Sequence, residues 1–176
     1  MVRQLRLSFL PYQPWLQRLL LGIAIITLGL LLGFWQRNLP ESAPVVTFKT
    51  IVGEQLKLVE LKGRPVIVTF WATDCASCVK EIPHLIELYQ RYHAQGLEIV
   101  AVAMYYDLPN HVVEMTRQKQ IPYRVALDLK ADLARAFGNV QLTPTTFLIA
   151  PDGLVAAKIV GAFKLSDLQN QLAHYF

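Results

Sequence analysis

Apolar and polar positions change rhythm several times along this 176-residue chain. Leu19 to Trp35 is a run of 17 residues without a charge, a length suited to a membrane span when Leu16 or a flanking aromatic contributes, with Trp15, Phe34 and Trp35 placed as interface anchors. Residues 38–44 then read as a short, polar, Pro-bounded linker. From residue 45 onward, short β-branched runs alternate with helical periods. Val45–Thr50 and Gln55–Leu58 flank Gly53 as a small hairpin, and Pro65 to Trp71 is a strand-like apolar run too short for a buried helix. Ile82, Leu85, Ile86, Leu88 and Tyr89 recur at helical spacing up to a stop at Gln95-Gly96, and Leu97–Met104 is a second buried strand. Strand, helix and strand in that order predict a βαβ unit with parallel pairing. Pro109–Gln120 reads as a helix, Tyr123–Leu127 as a short strand, and Asp132–Phe137 as a helix closed by Gly138. Thr145–Ala150 and Val155–Val160 alternate around Pro151-Asp152-Gly153 as a hairpin. A last helix is expected over Asp167–Tyr175, capped by the Ser166 hydroxyl. The expected organisation is a leader (1–18), an apolar anchor (19–37), a linker (38–44) and one α/β domain (45–176).

Charge orients the anchor. Arg3, Arg6 and Arg18 precede the span, whereas Arg37 and the more distant Lys49 follow it, so the leader should stay in the cytoplasm and the domain lie outside. A cleaved signal peptide is the competing reading. Against it, the apolar run is long, the leader is 18 residues, and the best cleavage position, after Ala43, has Glu41 three positions back and Pro44 next. The formal charge of +4 belongs largely to the membrane flank, because the segment from residue 45 carries 13 basic against 12 acidic residues. No basic stripe interleaved with aromatics appears, so nucleic acid is not an expected partner.

The chain has two cysteines, Cys75 and Cys78, set as Cys75-Ala76-Ser77-Cys78 between the strand-like and helix-like runs. A helix N-terminus favours a thiolate at Cys75, while Cys78, three residues on, lies within bonding reach but deeper. A structural disulfide is a weaker reading, since closing so short a ring removes little chain entropy. Structural zinc wants four ligands, and only the scattered His84, His93, His111 and His174 remain. Copper held by both thiolates and His84 is a further alternative. A peroxidatic pattern is absent: Ala72 and Val68 stand where its Thr or Ser and its Pro would be. A lone reactive pair suits an oxidising compartment.

Phe70 to Pro83 (FWATDCASCVKEIP), followed much later by Thr143-Pro144-Thr145-Thr146-Phe147-Leu148-Ile149, resembles the thioredoxin superfamily, and within it the membrane-anchored TlpA/ResA-like group. The resemblance covers roughly residues 45–175. It implies a thioredoxin-like α/β fold with an N-terminal β-hairpin and a helical insert around residues 107–128. It also implies that Cys75 is the nucleophile, Cys78 the resolving thiol and Pro144 a cis-proline facing them. Thr143 would then offer its backbone to an extended substrate, with Trp71 on the same substrate-binding surface. Glu81 matches the group's acidic residue; one helical turn from Cys78, it could take that thiol's proton or be an ordinary solvated helix residue. Pro83 matches a helix-kinking proline of structural value.

Two positions depart from the family pattern. Asp74 stands where Trp is usual before the first cysteine, and Thr69 where many members have an acid. Asp74 would oppose the Cys75 thiolate, and Ala76-Ser77 lacks a thiolate-stabilising histidine; both features push Cys75 and its disulfide toward the reducing end. The resemblance therefore implies a membrane-tethered periplasmic thiol:disulfide oxidoreductase of the inner membrane, needing no cofactor and no metal and acting as a monomer. A transmembrane thiol reductase would be its electron donor, and exported proteins such as apocytochrome c or copper-handling proteins its substrates. The alternatives are an oxidase or isomerase of the same fold, a copper chaperone using His84, and a non-catalytic interaction domain. Tyr105, Tyr106 and His111 either border the active face or decorate a loop, and the loop is the preferred reading.

Overall fold

The computed structural model describes residues 14–37 and 41–176, with the side chains of residues 14, 16, 17, 32 and 34–37 outside the described set. The leader arginines Arg3 and Arg6, linker residues 38–40 and the side chains of Phe34 and Trp35 thus lie outside the described residues. The chain divides into two units, Met1–Leu39 and Pro40–Phe176. In the first, among the described residues, the helix α1 (Pro14–Arg37) contains the whole uncharged run. Among the described residues no helix is long and apolar enough to cross a membrane. Several side chains in the apolar stretch of α1 fall outside that set.

The second unit is built on a five-stranded sheet. Its strands are β3 (Val66–Trp71), β4 (Glu98–Ala103), β5 (Arg124–Leu127), β6 (Thr145–Ile149) and β7 (Val155–Val160), in the order β5-β4-β3-β6-β7. β3 pairs parallel with β4, and β4 with β5, whereas β6 and β7 run antiparallel. β1 (Thr47–Lys49) and β2 (Gln55–Lys57) form a separate two-stranded hairpin, shorter than its apolar pattern suggests. It touches the large sheet through a bridge between Thr50 and Ala126.

β3 is buried at every position because it is central and covered on both faces. Strand alternation divides its side chains: Ile67 and Trp71 join one core with Ile82, Leu85 and Leu88 of α2 (Ala76–Tyr92) and Leu168 and Leu172 of α5 (Leu165–Leu172). Val66, Val68 and Phe70 join the other, with Phe48 of the hairpin and Phe137 and Phe147. There the Phe70 ring meets Phe137 edge-on at a centroid distance of 5.4 Å. Each such fully buried side chain contributes about 1.5–3 kcal/mol of burial free energy.

The expected insert is α3 (Pro109–Gln118) followed by β5, so it supplies the sheet's edge strand. Proline opens α3, where its missing N–H costs nothing. α4 (Asp132–Ala136) is short and is held by Asp128, whose buried carboxylate accepts from the Leu133 and Ala134 N–H groups at 3.0 and 2.8 Å. Buried Glu98 accepts from Arg64 and Arg124, and Arg124 also grips Glu54 in the hairpin turn. One expectation is corrected. Ser166 does not cap the last helix: α5 begins at Leu165 with Lys164 at the N-cap, and the Ser166 hydroxyl, already in the first turn, donates to Asp167.

Candidate active site at the start of α2

β3 ends at Trp71, and four residues later Cys75 takes the N-cap of α2 in an extended conformation, φ −87° and ψ 102°. Its sulfur occupies the position of an N-cap acceptor: the Cys78 N–H donates to Cys75 Sγ at 3.2 Å. Cys75 and Cys78 form a disulfide, with Cα atoms 5.2 Å apart. The Ser77 hydroxyl lies 3.4 Å from Cys75 Sγ, and because a disulfide sulfur carries no proton, the hydroxyl is the donor. The two sulfurs differ in access. Cys75 is half-buried, whereas Cys78 is 3% exposed, so an incoming sulfur can reach only the first.

α2 runs on through Pro83 and places Glu81 one turn beyond Cys78. Glu81 is only 4% exposed, which removes the reading of a solvated helix residue. Its Oε1 accepts from the Phe163 N–H at 2.7 Å. Burial pushes its pKa up to about 7, against the lowering effect of that hydrogen bond. Glu81 and Cys78 line one cavity of ≈ 10 Å³ with Thr69, Trp71 and Tyr123, about the space a single water needs. Burial and the nearby Glu81 charge push the Tyr123 phenol upward. Thr69, where an acid is usual in the family, shares a 2.9 Å hydrogen bond with Thr146 on the neighbouring strand.

Trp71 does not belong to a substrate-binding surface. It is 4% exposed, packed in the core beneath the cysteines, and its Nε1–H has no hydrogen-bond partner among the described residues. The strand alternation that aims Ile67 inward aims Trp71 the same way. Asp74 is solvent-exposed, so water screens its effect on Cys75.

The Thr143–Pro144 peptide bond is cis. β6 starts at the next residue and runs antiparallel to β3, with Thr145 opposite Phe70, so Pro144 falls at the sheet end from which the Cys75 turn leaves. The Pro144 carbonyl accepts from Gly161 N–H at 2.8 Å, whereas among the described residues no hydrogen bond engages the Thr143 N–H or carbonyl. Tyr105 and Tyr106 follow β4 at that same end, 54% and 47% exposed, while His111 is exposed on α3.

The copper arrangement is not assembled. Six residues separate Cys78 from His84, which at 100° per residue turns His84 about 120° away around α2 and carries it about 9 Å along the axis. It is exposed there beside Phe163, and among the described residues no group of three or more His, Cys, Asp or Glu could hold a metal. One contact was not legible in the sequence. Asp107, 34 residues away, accepts from Thr73 through both carboxylate oxygens, from the N–H at 2.6 Å and from the hydroxyl at 2.7 Å.

A parallel-antiparallel sheet of this order, a cis-proline at one end and a Cys-x-x-Cys disulfide at a helix N-cap define the thioredoxin class of dithiol proteins. The Redoxin family model matches residues 40–172. The thiol-disulfide oxidoreductase ResA of Bacillus thuringiensis subsp. konkukian is 33% identical over 133 residues, covering 75% of each chain. ResA of Bacillus subtilis is 32% identical over 132 residues, 75% of this chain and 73% of that one. Among solved structures, a thiol:disulfide interchange protein of the thioredoxin family from Chlorobium tepidum aligns with a TM-score of 0.71 and 28% identity, over 78% of this chain and 97% of its own. The chain belongs to the Redoxin family, in the TlpA/ResA-like branch of the thioredoxin superfamily. Its activity is protein-disulfide oxidoreduction on protein thiols.

Proposed function

We propose that this oxidoreductase works as a reductase of exported proteins, tethered to the outer face of the cytoplasmic membrane by residues 19–37. The observation that carries the chemistry is the asymmetry of the pair: Cys75 reachable and supplied with two donors, Cys78 buried beside Glu81. In the reduced protein, the Cys75 thiolate attacks one sulfur of a substrate disulfide. A mixed disulfide forms and the first substrate thiolate leaves. Cys78 then gives its proton to Glu81, whose pKa near 7 leaves it able to accept one at neutral pH. The Cys78 thiolate attacks Cys75 Sγ, the second substrate thiolate leaves, and the Cys75–Cys78 disulfide remains. The unengaged Thr143 backbone, next to Pro144, can pair with an extended substrate during the exchange. Exposed Tyr105, Tyr106 and Leu142 offer it an apolar surface.

The tether is supported by the uncharged run and by the arginines before it. A membrane thiol reductase would regenerate the dithiol, and apocytochrome c or copper-handling proteins are the substrate classes that the family suggests. The absence of a thiolate-stabilising histidine favours the reducing direction, with only a small addition from the exposed, screened Asp74. Equilibration of the Cys75–Cys78 couple against glutathione or dithiothreitol buffers tests that direction. A value near or below roughly −250 mV fits a reductase, and one near roughly −120 mV would make the protein an oxidant.

A further inference from the structure

We infer that Asp107 is a positioning residue for the redox turn: its carboxylate clamps Thr73 and thereby holds Cys75 at the helix N-cap. The inference rests on the reading of Cys75 as the attacking sulfur. Only Ala72, Thr73 and Asp74 lie between β3 and Cys75, and such a connection has few bonds of its own. Within it, Cys75 N–H donates to the Ala72 carbonyl at 3.2 Å. The remaining restraint comes from outside. Asp107 Oδ2 accepts from Thr73 N–H at 2.6 Å and Oδ1 from the Thr73 hydroxyl at 2.7 Å. Among the described residues, that N–H has no other partner.

Asp107 is itself secured. Its N–H donates to the Met104 carbonyl, and Met104 N–H donates to the Trp71 carbonyl, both at 3.0 Å. The end of β4 and the end of β3 are thus joined at two successive levels, at Trp71 and at Thr73, the second two residues before Cys75. Thr73 presents an N–H, which can only donate, and a hydroxyl that here also donates; the carboxylate facing them offers two acceptors at fixed spacing. No atom of the clamp is sulfur. It can therefore persist through oxidation and reduction, keeping Cys75 Sγ within reach of the Cys78 N–H and the Ser77 hydroxyl in both states.

The substitutions separate position from charge. D107A abolishes both bonds and leaves the Thr73 N–H unpaired. D107N keeps two, because its carbonyl accepts from Thr73 N–H while the rotatable Thr73 hydroxyl turns to accept from the amide. T73V removes only the hydroxyl bond. In the full-length chain, three quantities are compared: the single-turnover rate of reduced Cys75 on 5,5′-dithiobis(2-nitrobenzoate), the Cys75 thiolate titration at 240 nm, and the thermal midpoint. D107A should lose about tenfold in rate with its thiolate titration moved to higher pH, T73V should lose less, and D107N should stay within about twofold of wild type. Should D107A not fold, T73V and D107N carry the comparison. An unchanged rate and titration in D107A, whatever its thermal midpoint, would overturn the inference. So would D107N impaired as deeply as D107A, which would assign the effect to charge. Retained activity in C75S would instead refute the reading of the nucleophile and leave the clamp unaffected.

Discussion

Replacing Glu81 with Gln keeps the shape of the side chain beside Cys78 and its acceptor for the Phe163 N–H, but removes the titration. In the folded state, burial holds the Glu81 pKa near 7, against the ordinary value of 4.5 that serves for the unfolded chain. Between those values the folded protein holds a proton that the unfolded chain has released. The unfolded state therefore binds fewer protons, and stability falls as pH rises through this window. At about 1.4 kcal/mol per unit, the rise from 4.5 to about 7 amounts to about 3 kcal/mol, most of it lost between pH 5 and pH 8. The Gln amide also leaves its NH₂ without a partner in an apolar cavity, at a cost of about 1–3 kcal/mol that does not vary with pH. The discriminating quantity is consequently the difference in slope between the two proteins. Urea unfolding of a fragment spanning residues 40–176, oxidised, at several pH values from 5 to 8 reads it. With a slope of about 2 kcal/mol per molar urea, the wild-type midpoint should fall by about 1 M relative to that of E81Q across this range. Parallel midpoints would show that Glu81 does not titrate in the folded protein between pH 5 and 8. Its place as the proton acceptor for Cys78 would then be lost.

Three further outcomes follow from the site and its frame. S77A removes a donor from Cys75 Sγ; a bond worth up to about 1 kcal/mol implies a Cys75 pKa higher by about 0.7 and a reduction potential lower by about 20 mV. Unchanged values would mean that the 3.4 Å contact does not survive reduction. D74N should lower the Cys75 pKa by less than about half a unit, because Asp74 is exposed and screened; titration at 240 nm checks this, and a larger drop would show a closer coupling than the exposed position implies. D128A strips the acceptor from two N–H groups at the start of α4 and should destabilise the domain by about 2–4 kcal/mol in denaturant titrations. A loss below about 0.5 kcal/mol would mean that other groups satisfy them.

The elements that were legible in advance are those with a strong local signal. β3 and β4 announce themselves as short β-branched runs, α2 by its apolar spacing and by the stop at Gly96, whose φ of 114° few other residues adopt. The β6–β7 hairpin is marked by Pro151-Asp152-Gly153. Ser166 misled because a hydroxyl near a helix start is a common cap, yet the helix begins two residues earlier than expected, at Leu165, which puts that hydroxyl inside the first turn. Trp71 misled in the opposite way. Its place in the motif suggested a surface role, but whether a strand-end residue faces the core depends on which face the neighbouring helix covers, and α2 covers this one.

For the site itself, local order along the chain was enough to specify the chemistry. Two cysteines three residues apart, between a strand and a helix, can hardly avoid a helix N-terminus, and the difference in access between them follows from helical geometry. Energetics over distance could not be read that way. The pKa of Glu81 depends on burial by β3, β4 and Tyr123 and on a single N–H from Phe163, 82 positions on. The hold of Asp107 on Thr73 spans 34 positions and exists only because β3 and β4 pair in parallel and end side by side. Desolvation and hydrogen-bond geometry are properties of neighbours in space. The sequence alone determined which residues react, and only the packed structure decided how strongly they are tuned and what keeps them in place.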